Sequence, residues 1–183
     1  MDEKNSKREI ATLAGGCFWC LEAIFNEFRG VQKVVSGYSG GRSIDPSYKE
    51  VSNGKTGHAE VVQVTFDPSE ISYGDILNVF FTMHDPTTID RQGSDIGSQY
   101  RSAIFYHSED QKEEAEKTRG RFEKENIWGS PIITEITSFN EFFQAEDYHQ
   151  HYYENHESQP YCQSIIEPKL VNLRKNFIDK LKA

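Results

Sequence analysis

The segment Gly15-Gly16-Cys17-Phe18-Trp19-Cys20 sets two thiols three positions apart, behind a pair of glycines and around two aromatic rings. A cysteine at the start of a helix faces backbone N–H groups without intrahelical partners and the positive end of the helix dipole; both stabilise a thiolate. Glycines ahead of it let a substrate or another stretch of backbone come close. This spacing suits a dithiol redox pair. It also suits half of a zinc site, completed by Cys162 and one of His149, His151 or His156. Zinc lacks a second Cys-x-x-Cys, and His149 and His151, two positions apart, diverge on a helix. The inert alternative makes Cys17 a small buried hydrophobe and Phe18 and Trp19 plain core. Glu60, in Gly57-His58-Ala59-Glu60, is a second chemical candidate at the head of a valine-rich stretch. Burial raises a carboxyl pKa, and an acid still protonated near neutrality can donate a proton; spacing alone equally allows an edge-facing strand glutamate.

The elements that must position these groups can be read from periodicity. Residues 10–14 form a short apolar run that reads as a buried strand, and Gly15-Gly16 turns it. Phe18, Leu21, Ile24, Phe25 and Phe28 then follow helical spacing up to Gly30, which puts Cys17 at a strand-to-helix junction. Strands are expected at 31–38, 58–66, 102–106 and 132–137. Ser72-Tyr73-Gly74-Asp75 resembles a capping box ahead of a helix, and 109–125 reads as a charged helix with a solvated face. Residues 146–156, rich in aromatics and histidine, form a helix or an irregular arm, and 169–182 show near-helical apolar spacing. Loops at 37–50 and 84–99, the second holding the polar Gly93–Arg101 run, are long enough to be functional. Such alternation favours a single α/β or α+β sandwich.

Composition narrows the partners. The 183 residues carry 29 acids against 20 Lys and Arg, a net charge of −9, so nucleic acid and anionic membranes are not expected to bind. Three cysteines, Cys17, Cys20 and Cys162, exclude a disulfide scaffold. The polar N-terminus lacks the apolar segment of a secretory signal, and the apolar stretch at 76–83 is too short to span a bilayer. A cytoplasmic monomer of one domain is the expectation, with a core at about 10–155 and an arm at 156–183 carrying Cys162.

Gly-Cys-Phe-Trp at 16–19, Gly37-Tyr38-Ser39-Gly40-Gly41, Pro46-Ser47-Tyr48, Gly57-His58-Ala59-Glu60, His84-Asp85-Pro86-Thr87, Asp90-Arg91-Gln92-Gly93, Gly97 to Ser102 and Ala145 to Gln150 resemble peptide methionine sulfoxide reductase A. The resemblance runs over roughly residues 10–170. It implies an α+β fold, a ferredoxin-like two-layer α/β sandwich with long loops and an irregular C-terminal arm. It implies reduction of the S epimer of methionine sulfoxide, free or in proteins, with no metal and no organic cofactor. Cys17 matches the nucleophile that attacks the sulfoxide sulfur, and Phe18 and Trp19 match the aromatic pair around the substrate methyl group. Glu60 matches the acid that protonates the sulfoxide oxygen, Tyr48 and Tyr100 the phenols that hold it, and Asp95 a supporting carboxylate. Cys17 sulfenic acid then condenses with a second thiol, and a thioredoxin-like reductant restores the thiols.

The sequence departs from many relatives by having Cys20 where they have glycine, and by having no glycine between residues 158 and 183. Cys162, on a mobile arm, is the first choice for the resolving thiol; Cys20, one turn from Cys17, is the second, and a relay through both is a third. A general dithiol–disulfide oxidoreductase and a non-enzymatic zinc module stand as the competing functions.

Overall fold

The computed structural model of the protein describes residues 7–183. Strand β1 (Glu9–Gly15) lies inside a six-stranded mixed sheet and ends at Gly16, whose φ of +92° only glycine adopts freely. A Cβ there would also lie 2.5 Å from the Gln92 side chain. Cys17 follows with extended backbone and becomes the N-cap of α1 (Phe18–Asn26), as the change of period from two to 3.6 requires. The helix ends before Gly30. Phe28 leaves it to pair with Leu181, and the N–H groups of Arg29 and Lys182 bond to Lys180 and Glu27 carbonyls respectively. Gly30 instead opens β2 (Val31–Ser39).

The short helix α2 (Tyr48–Ser52) breaks the first long loop, closed by a Ser47–Glu50 capping box. Next come β3 (Ala59–Phe66) and α3 (Tyr73–Met83), the latter capped by the Ser72–Asp75 box read from sequence. The second loop carries a hairpin of β4 (Arg91–Gln92) and β5 (Asp95–Ile96), followed by a 3₁₀ turn at Ser98–Tyr100. Strand β6 (Ser102–Tyr106) and helix α4 (Glu109–Lys124) match their expected spans. Strand β7 (Glu135–Ser138) starts three residues later than expected, because Ile133 N–H bonds to the Pro86 carbonyl rather than to a strand. Then follow β8 (Phe143–Gln144), a 3₁₀ turn at Asp147–His149, α5 (Tyr152–Asn155) and α6 (Glu167–Phe177).

The sheet order is β7-β6-β1-β3-β2-β8, with β6 and β7 parallel and the other neighbours antiparallel. Side chains alternate across it. Leu13, Val62, Val64 and Ile104 enter the large core shared with α1 and α3, whereas Ala14, Val61, Ala103 and Phe105 form a smaller cluster. Glu60 continues the Val62–Val64–Phe66 row, so its carboxyl points to the same side as the core shared with α1.

The arm is helical, which corrects the irregular arm expected. A π turn at Cys162–Ile166 runs directly into α6, and Cys162, Ile166, Leu170 and Leu173 are buried in the main core. The apolar spacing of 169–182 belongs to a longer amphipathic segment, and burial of its stripe supplies the stability that a glycine-free tail needs to stay helical. Among the described residues no helix is long and apolar enough to cross a membrane.

Candidate active site

Cys17 and Glu60 meet at the head of α1. The first amide of the helix, Phe18 N–H, donates to Glu60 Oε2 at 3.0 Å, and both residues are nearly inaccessible, 7% exposed for Cys17 and 2% for Glu60. Burial pushes the Glu60 carboxyl up to about 8, against the opposing bond from Phe18 and with the fields of Asp95 and Cys20 adding to it. Glu60 is therefore a neutral acid at pH 7, and the edge-facing alternative is excluded.

The sulfur behaves differently from the sequence expectation. Cys17 makes no side-chain cap hydrogen bond: the first helix amide, Phe18 N–H, goes to Glu60, and the third, Cys20 N–H, goes to the Cys17 carbonyl. Burial then pushes its thiol well up, with Cys20 and Glu60 adding to the shift. Cys20 is lowered instead: it accepts a hydrogen bond from Cys17, and Lys169 and Tyr161 add to this against its own burial. The two thiols are coupled, and of the pair Cys20 is the more acidic and Cys17 the less.

Aromatic rings surround the sulfurs. Trp19 stacks face to face on Tyr152 at 3.6 Å between centroids, meets Tyr161 edge-on, and donates its indole N–H to His149 Nδ1 at 3.0 Å. The His149 ring packs against Phe18 and Tyr48 at 5.1 and 4.4 Å. Since the indole can only donate, Nδ1 of His149 is the acceptor and the proton sits on Nε2. That Nε2 is buried without a protein partner, a lone donor beside Phe18 and Tyr48. Burial lowers the pKa of His149, which keeps the ring neutral.

The remaining expected residues converge on the same place. Tyr48 begins α2, where Glu146 accepts its backbone N–H at 3.1 Å. Glu146 also accepts the hydroxyls of Tyr38 and Tyr148, and these donors outweigh burial and hold it ionised. Burial raises Tyr48 and Tyr100, and the Glu60 carboxyl is the next largest influence on both. Asp95, on β5, accepts the Tyr161 hydroxyl at 2.8 Å. Cys20 Sγ lies 3.8 Å from the same oxygen, so Tyr161 stands between the carboxylate and the sulfur pair. Cys162 is fully buried in the π turn next to Tyr161, and the Cys20 charge, after burial, is the largest influence on it. It is not on a loose arm, and Cys20 is the group hydrogen-bonded to the Cys17 thiol.

Sequence reading gave no role to Tyr38, Glu146, Tyr152 or Tyr161, and weighed a role for His149 only as a metal ligand. Tyr38, Glu146 and His149 lie in motifs of the family resemblance, and the aromatic and histidine content of 146–156 was the signal for Tyr152. Among the described residues no group of three or more His, Cys, Asp or Glu is placed to hold a metal.

The sequence matches the family described as "Peptide methionine sulfoxide reductase" over residues 9–181. It is 53% identical over 172 residues to peptide methionine sulfoxide reductase MsrA of Sulfolobus acidocaldarius, covering 94% of this chain and 97% of that protein. The fold resembles Mxr1 from Saccharomyces cerevisiae in reduced form, with a TM-score of 0.80, 35% identity and coverage of 88% of this chain and 92% of that one. Mxr1 in complex with Trx2 also matches, with a TM-score of 0.57, 26% identity and coverage of 83% and 89%.

Proposed function

This chain belongs to the peptide methionine sulfoxide reductase family, and from that premise we propose how its own residues reduce methionine sulfoxide to methionine. The observation that carries the reading is a neutral, buried Glu60 sharing the head of α1 with Cys17. A sulfoxide oxygen is a strong acceptor and a poor leaving group, so attack at sulfur needs a proton donor on that oxygen. Cys20 takes the Cys17 proton, which their shared hydrogen bond prepares. The Cys17 thiolate attacks the sulfoxide sulfur, forming an S–S bond, while Glu60 gives its proton to the oxygen, with the Tyr48 and Tyr100 hydroxyls donating to the same oxygen. In the resulting adduct the hydroxyl passes from the substrate sulfur to the Cys17 sulfur as the S–S bond breaks: Cys17 becomes the sulfenic acid and loses two electrons, and the substrate sulfur gains two and departs as methionine. Phe18 and Trp19 enclose the S-methyl group, Asp95 holds Tyr161, and the free His149 N–H donates to the substrate's carbonyl oxygen. The substrate is the S epimer, free or protein-bound.

Cys20, now a thiol, condenses with the sulfenic acid, forming the Cys17–Cys20 disulfide and releasing water. Cys162 then displaces Cys17 from Cys20 by thiol–disulfide exchange, and a thioredoxin-like dithiol reduces the Cys20–Cys162 bond. The order reverses the preference drawn from sequence, and the contact of Cys20 with Cys17 supports it. The Mxr1 complex with Trx2 supports the reductant. The β6-β1-β3-β2 order, with α1 and α3 as crossovers, supports a ferredoxin-like core. Burial of Cys162, Ile166, Leu170 and Leu173 in the main core supports a single domain that includes the arm.

The test is stoichiometric. The reduced enzyme mixed with one equivalent of methionine-S-sulfoxide should yield one methionine and a Cys17–Cys20 or Cys20–Cys162 disulfide by peptide mass mapping. Methionine formed with all three thiols still free would overturn the assignment.

A further inference from the structure

Glu22 takes no part in the reaction above, yet it is 1% exposed and among the described residues forms no ion pair. Burial of an unpaired carboxylate is costly unless hydrogen bonds hold it. Its Oε1 accepts the backbone N–H of His151 at 2.9 Å, and the Tyr152 N–H also bonds to the carboxyl. His151 has φ +52°, a left-handed conformation that costs a residue with a Cβ about 1 kcal/mol. The carboxyl of Glu22 therefore holds a strained turn, 129 residues away in sequence, against α1.

Each side of that turn carries a wall of the site. Two residues before it, His149 accepts the Trp19 indole N–H; one residue after it, Tyr152 stacks on the Trp19 ring. Trp19 and Glu22 are three apart on α1 and so share one face. The segment is thus fixed to the helix at two neighbouring points, one aromatic and one carboxylate.

We propose that Glu22 is a positioning residue of the substrate pocket, holding the 149–152 turn so that Tyr152 covers Trp19 and the His149 Nε2 proton stays directed at bound methionine sulfoxide. The inference rests on the reading that the Trp19 wall receives the substrate. Glu22 touches neither substrate nor reacting sulfur, so its removal should act on binding rather than on the chemical step.

The test uses the full chain with Trp128→Phe, which leaves Trp19 as the single tryptophan. Without substrate, Glu22→Ala should red-shift Trp19 emission and raise its acrylamide quenching about twofold. Glu22→Gln, which keeps one acceptor oxygen, should show a smaller change. With a methionine-S-sulfoxide peptide, KM should rise about tenfold in Glu22→Ala, the loss of one buried constraint, while the saturating single-turnover rate stays within about threefold. Unchanged emission and KM in both variants would overturn the proposal, as would a fall in rate at unchanged KM. If Glu22→Ala does not fold, Glu22→Gln carries both readouts. The emission measurement needs no turnover, so it reads the turn even if the parent chain proves inactive on the sulfoxide.

Discussion

At its C-terminal end α1 is tied down by complementary groups. The Arg174 guanidinium donates two hydrogen bonds to Glu27 at 3.0 and 3.1 Å, Lys182 Nζ reaches the Asn26 carbonyl at 2.9 Å, and Phe28 packs edge-on against Phe177. Cations there meet the negative end of the dipole. At its N-terminal end the same helix has no acidic residue in its first turn, its leading amide faces a protonated carboxyl, and its cap residue is an unsolvated thiol. The comparison teaches that one helix divides its tasks. Partners saturate the end that stabilises, whereas the end that reacts keeps a proton donor and an ionisable sulfur pair out of water.

Substitutions at the two ends should differ by orders of magnitude. Cys17→Ser should abolish methionine formation even in a single turnover with excess enzyme; a surviving burst would move the nucleophile elsewhere.

Glu60→Gln should slow the first turnover by about 10²–10³-fold, the usual worth of a positioned acid. The working form is protonated, so the wild-type rate should fall as pH rises through about 8, a limb that the variant lacks. Stability follows the same group. Its folded pKa lies above the unfolded value, so the folded state binds the proton more tightly, and stability falls as pH rises from the ordinary carboxyl range toward about 8. Glu60→Gln should therefore raise Tm relative to wild type at pH 9 and not at pH 4.

The two further thiols sharpen the comparison within the reactive end. Cys20→Ala should stop at a sulfenic acid that dimedone traps, whereas Cys162→Ala should form the Cys17–Cys20 disulfide and recycle with dithiothreitol but not with thioredoxin. Equal dimedone labelling of the two variants would break the proposed order. The smallest effect belongs to the far end: Arg174→Ala should cost about 0.2–1 kcal/mol in urea unfolding, as exposed ion pairs do, with the single-turnover rate unchanged.

What could be read from the chain was local. The Ser72–Asp75 cap, the span of α4 and the strand-to-helix step at Cys17 depend on neighbours within a few residues. The helical arm was only half legible, since apolar spacing marks α6 but nothing local marks the π turn at Cys162. Trp19–His149, Tyr161–Asp95 and Glu22–His151 join residues 130, 66 and 129 positions apart, and no periodicity reports such pairs.

The sequence by itself determined that a thiol flanked by aromatics would stand at the mouth of a helix, because two glycines and a change of hydrophobic period are properties of adjacent residues. Only the tertiary structure decided how protons are distributed there. Burial keeps Glu60 neutral, Glu60 takes the first amide of α1, and burial raises Cys17 while its neighbours make Cys20 the more acidic thiol. Desolvation and hydrogen bonding are set by what the whole chain packs around a group, so protonation states emerge only once distant segments close over the site.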